Sequence, residues 1–238
     1  MAKKILVAAA MLTAATFAQA QSASLTVTGS ITPGTCTMAL GNGGAAAFGD
    51  LPGSTVKTWA TVGTPPRYVS PTPVNVSLNI ICGSATKMAM RVTDNHATTA
   101  SPSVATDPAS YGLGIYSPPG GATTNIGIFV IDHSDLKIKA TAAATSAAPA
   151  AYLLSAGNAT STSTWSLATA AAAGNPVVNF LSAFSYGFSA SAAATTPDSL
   201  VSIAGNLKVQ VQPIVSVVNA ATTNIVMSGS ATVTLIGI

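Results

Sequence analysis

The chain has 238 residues, only 6% of them charged: nine Lys and Arg stand against six acidic residues, all Asp, for a formal net charge of +3. The few basic residues are scattered, which excludes the concentrated positive surface that nucleic-acid binding needs. With two histidines and no glutamate, carboxylate pairs and metal clusters are thinly supplied, and the surface must be built from Thr, Ser, Asn, Ala and Gly, which leaves it near neutral and prone to self-association.

Lys3 and Lys4 precede an apolar run from Ile5 to Phe17, and Ala18-Gln19-Ala20 offers the small-x-small site that a signal peptidase cuts. Residues 1–20 are therefore expected to be a signal peptide, with the mature chain starting at Gln21. The run is too short to span a bilayer comfortably, no later stretch holds about 18 uninterrupted apolar residues, and no cysteine follows the cut to carry a lipid. The expectation is a soluble exported protein whose formal charge, without the two lysines, is +1. A mature chain of this length suits one all-β domain.

The next segment, "SLTVTGSITPGTC", alternates strictly: Leu25, Val27, Gly29 and Ile31 share one side of an extended chain, and Thr26, Thr28, Ser30 and Thr32 the other. A strand of this pattern belongs in a sheet with one buried face. Glycine inside an apolar row marks a place where another backbone or side chain comes close. Pro33-Gly34 then separates the segment from Cys36. Cys36 and Cys82 are an even pair in a chain expected to be exported, which predicts one disulfide serving as a structural staple; no Cys-x-x-Cys redox spacing is present.

Further along, residues 74–81, 88–92, 125–131, 207–211 and 231–236 are short, β-branched runs bounded by Gly, Pro, Asn or Ser, the signature of antiparallel strands. Between residues 140 and 175 the chain is rich in alanine, broken by Pro149, Gly157 and Gly174, and without an apolar stripe. That stretch is expected to be a surface excursion pinned by the packing of Leu153, Leu154 and Trp165. His96 and His133 both lie among turn formers, and Asp132, His133 and Asp135 read as a solvated turn rather than a metal site. There is no Gly-x-Ser-x-Gly elbow. No catalytic residue, metal or cofactor is expected.

The order Leu25-x-Val27-x-Gly29-x-Ile31, with a cysteine seven residues after the glycine, resembles the N-terminal extension of chaperone–usher pilins. "FGDL" at 48–51, Cys82 closing a strand, and "SATVTLIGI" at the C-terminus resemble the same family. "MRVTDNH" at 90–96 and "GNLKVQVQPIVSV" at 205–217 resemble a less characterised fimbrial-like branch of it. Gly237 departs from the family, which commonly has tyrosine in the penultimate position. The resemblance implies an all-β fold, an incomplete immunoglobulin-like β-sandwich that lacks its last strand. Residues 21–35 would be an N-terminal donor-strand extension and residues 36–238 the pilin-like domain. Leu25, Val27, Gly29 and Ile31 would be the donor residues, and Ala231, Val233, Leu235 and Ile238 would mark the last strand and the acceptor groove beside it.

The function implied is a structural subunit of a surface fimbria. Its partners would be neighbouring pilus subunits, a periplasmic chaperone and an outer-membrane usher, and its route would run through the periplasm to the cell surface. Two other readings stand beside it. One is a self-complete secreted β-sandwich that binds carbohydrate or host protein as a monomer, and the other, ranked third, is an exported hydrolase using His133 with Asp132 and Asp135.

Overall fold

Alternation dominates the longest strand. The computed structural model describes residues 35–99, 110–140, 151–157, 163–168, 180 and 184–238, all within one compact unit, Pro33–Ile238. The strands are β1 (Cys36–Leu40), β2 (Thr61–Val62), β3 (Arg67–Tyr68), β4 (Val74–Asp94), β5 (Tyr111–Gly112), β6 (Ile115–Tyr116), β7 (Thr124–Asn125), β8 (Gly127–Asp132), β9 (Lys137–Lys139), β10 (Tyr152–Ala156), β11 (Ser166–Leu167), β12 (Ser185–Ser189), β13 (Ser199–Pro213) and β14 (Ala231–Gly237). Two short helices, α1 (Gly53–Val56) and α2 (Val215–Ala220), and two 3-10 turns, at Gly41–Gly44 and Ala97–Thr99, complete the regular structure among the described residues. The architecture is all-β, a curled antiparallel sheet in the order β11-β10-β12-β4-β13-β8-β5.

Residues 74–81 and 88–92, expected as two strands, belong to one. In β4 the side chains of Val76, Leu78, Ile80 and Cys82 are buried and those of Asn75, Ser77, Asn79 and Ile81 exposed, a period of two. The small, exposed residues 83–85 look like a break in the sequence, yet the backbone stays extended through them. The ladder with β13 absorbs the irregularity: Leu200 pairs with Thr86 and Ser202 with Ile81. Beyond it Met88, Met90 and Val92 are again buried.

β4 therefore serves both halves of the curl. Over residues 74–82 it is flanked by β13 and, from 78 to 82, by β1, and over 88–94 by β14 and, in part, by β12. One hydrophobic core draws on both halves, with Leu78 and Ile80 beside Met88 and Met90, Phe129 from β8, Tyr186 and Phe188 from β12, and Ile203 and Leu207 from β13. β8 and β9 pair with successive parts of β13. The turn between them presses so close that a Cβ on Gly205 (φ +154°) would collide with the carbonyl of Asp135; only glycine fits there.

The alanine-rich stretch departs from its expectation. Tyr152–Ala156 is a strand inside the sheet, paired with β12 along its length and with β11 on the other side. Leu153, Leu154 and Trp165 are all buried. Adjacent leucines are pointed to opposite faces by the pleat, and both faces are covered, Leu153 by the main core and Leu154 by a small cluster with Ala89, Ala156 and Trp165. The remaining alanines, at 141–150 and 169–173, lie outside the described residues.

Candidate functional site

The edges of the curl define the site. Among the described residues β1 pairs only with β4, and so does β14, so each carries one free edge of unpaired backbone groups. β1 begins at Cys36 directly opposite Cys82, and the two cysteines form the expected disulfide. β14 ends with Gly237 opposite Met88. Both edge strands run antiparallel to β4, β1 beside its first half and β14 beside its second, and a cleft of about 1180 Å³ lies beside them.

The floor of the cleft is core: Val76 of β4, Ile126, Phe129 and Ile131 from β8 and its lead-in, and Leu207, Val209 and Val211 of β13. One wall is residues 44–57 with Phe48 and Leu51; the other is 221–231, which carries Ile225, Val226 and Met227 into β14. Leu40, Ala231 and Val233 of the edge strands line it as well, and the only charged side chains in the lining are Asp50 and Lys57. Neither residues 46–51 nor 222–227 make a backbone–backbone hydrogen bond among the described residues. Val226 is 75% exposed.

Alternation sorts the sequence-expected residues of the last strand. Ala231, Val233 and Leu235 are half-buried against the main core, with Thr232 and Thr234 outward. Ala231 and Val233 line the cleft; Leu235 is packed below its lining, towards Met90. Ile238 lies past the end of β14 and packs with Ile236 on the small cluster of Ala89 and Leu154. The structure thus puts Ile238 on the opposite face from the cleft. Leu25, Val27, Gly29 and Ile31 lie outside the described residues.

The Asp132–Asp135 turn is not solvated throughout, as its composition had suggested. His133 is only 6% exposed, its ring 5.2 Å from that of Phe180, and burial pushes its imidazole down to about 4. Tyr111 donates its hydroxyl to the Phe180 carbonyl at 2.8 Å, and Phe180 meets Tyr186 edge-on at 5.0 Å. The carboxylates are occupied elsewhere: Asp132 accepts from the Ser134 N–H and hydroxyl, and Asp135 pairs with Lys208 at 2.8 Å. Among the described residues no group of three or more His, Cys, Asp or Glu is placed to hold a metal ion.

Sequence reasoning singled out "FGDL" as a motif, but not that Phe48 and Leu51 would form a wall. It missed the facing wall altogether. The signal was there in "TTNIVMSGS" at 222–230: a short apolar run set between turn formers, directly ahead of the last strand.

A family model described as a protein of unknown function (DUF1120) matches residues 25–127. No curated protein and no solved structure matches the chain.

Proposed function

We propose that the protein is a structural subunit of a surface fimbria that polymerises by strand addition, after delivery by a periplasmic chaperone to an outer-membrane usher. The observation that carries this reading is the cleft, floored by core side chains, beside two edge strands that each have an unpaired backbone edge. Natural sheets normally cover or charge such edges because they recruit other strands. Here the lining holds two charged residues among some thirty-five, so nothing in it repels an apolar strand. A β-segment laid into the cleft gains main-chain hydrogen bonds along its length and register from its alternate side chains.

The segment proposed to enter is residues 24–32 of a neighbouring copy. Its apolar row, Leu25, Val27 and Ile31, contributes about 1.5–3 kcal/mol per buried side chain before ordering costs. Its hydroxylated row faces water, as the outer rows of β1 and β14 do. In this reading the fold is an immunoglobulin-like sandwich short of its final strand.

The test is expression of the mature chain with and without a co-expressed chaperone. A boiling-sensitive ladder of oligomers that disappears when residues 21–32 are deleted is the expected result. A stable monomer that needs no helper and is unchanged by mixing with the deletion variant overturns the proposal, and favours a sandwich closed by its own N-terminal segment.

A further inference from the structure

Three pieces of chain meet at the end of the cleft where β14 begins, and the turn after β4 joins them. Asp94 accepts hydrogen bonds from the His96 N–H at 2.8 Å and the Gly112 N–H at 2.9 Å, tying the end of β4 to β5. Its neighbour Asn95 donates its backbone N–H to the Ser230 carbonyl at 3.0 Å and its Nδ2–H to Ser230 Oγ at 2.9 Å. Asn95 Oδ1 accepts from the Thr232 hydroxyl at 3.1 Å. The Ser228 N–H donates to the Leu113 carbonyl at 3.0 Å, so the same stretch is also fastened to the segment after β5.

Packing leaves this junction no slack. A Cβ on Gly229 would stand 2.7 Å from Cε1 of Phe129, and one on Gly114 would collide with Ser228 Oγ. Residues 229–231 line the cleft, and immediately before them lie residues 222–227, which have no backbone–backbone hydrogen bond among the described residues. The wall is therefore held at its β14 end by Asn95 and the Ser228 N–H, while ahead of it the backbone forms no ladder and the Tyr116 and Thr223 hydroxyls meet at 3.2 Å.

We propose that Asp94 and Asn95 are positioning residues of the cleft: they anchor the start of β14 so that its free edge is already ordered when a partner strand arrives. The inference rests on the strand-acceptor reading above. A wall without this anchor must be ordered during binding, and the lost backbone freedom is subtracted from the attachment. Asn95→Ala removes both side-chain bonds while sparing the backbone one. Asn95→Asp keeps both, because the Ser230 and Thr232 hydroxyls can each donate to a carboxylate oxygen.

The experiment adds a labelled peptide of residues 21–32 to the full chain and follows its capture together with amide hydrogen exchange. Asn95→Ala is expected to weaken capture by about tenfold and to speed exchange over 228–234 while leaving β10 and β12 unchanged; Asn95→Asp restores both. Thr232→Val, which deletes a single exposed bond, moves capture the same way by a smaller factor. Capture by Asn95→Ala equal to that of the wild type overturns the anchoring role, as does exchange that rises uniformly, the mark of a merely stabilising contact. A wild-type chain that ignores the peptide overturns the strand-acceptor reading itself, an outcome distinct from failure of the anchor, which leaves wild-type capture intact.

Discussion

His133 is a buried imidazole with no hydrogen-bond partner for either ring nitrogen among the described residues, and its environment favours the neutral form. Asp132 beside it pulls the other way, and burial prevails. Between its folded value of about 4 and its unfolded value of 6.5, the unfolded chain binds more protons than the folded one. The stability that the neutral ring contributes is therefore present above pH 6.5 and is lost as the pH falls towards 4. Unfolding free energies from urea titrations at pH 7 and pH 5 are expected to differ by about 2 kcal/mol on this account, and His133→Phe should remove most of the difference. Gly29 poses the opposite question, one of space rather than charge. If it meets the shallow part of an acceptor cleft, Gly29→Leu forces the strand out of register; the variant should fold with its chaperone yet yield no fibres, which electron microscopy of sheared surface material would reveal.

The edge strands set the behaviour of the elements. β1 is five residues long with a single partner, so its ladder alone holds it weakly, and the Cys36–Cys82 bridge fixes its start to the middle of β4. Closing a loop of 46 residues stabilises the fold by roughly 4 kcal/mol in the chain-entropy model. Replacing both cysteines with alanine should lower the denaturation midpoint accordingly, and early exchange of the β1 amides would show that this edge frays first. The long strands β4, β8, β13 and β14 were at least partly legible in the sequence, β4 and β14 because a half-buried strand must alternate, as residues 74–81 and 231–236 do. β10 was not, since "AYLLSAG" sits in an alanine-rich context and has both faces covered, so that no alternation survives to mark it.

At the scale of the whole molecule, the scarcity of charge and the cleft point the same way. If the chain assembles as proposed, with so few ionised groups its association has to be driven by apolar burial and main-chain pairing, so the oligomer ladder should persist in high salt, where assemblies held by exposed charges weaken. The cysteine pairing and the position of the last strand could be read from residue order. The cleft could not, because it is made by residues 44–57 and 221–231 approaching a core assembled from β4, β8 and β13, a juxtaposition that depends on how far the sheet curls. The buried state of His133 was hidden for a related reason: its partner ring, Phe180, is 47 positions away along the chain.

β4 is the common rail of both halves: nearly all of its 21 residues pair with at least one neighbouring strand, and residues 78–81 and 89–91 pair on both sides. A pull transmitted through it would be met by several ladders in shear at once, whereas a ribbon peeled from one end yields rung after rung. The domain is in this sense built around a tie-bar, and slack taken up at either end is shared by the whole body.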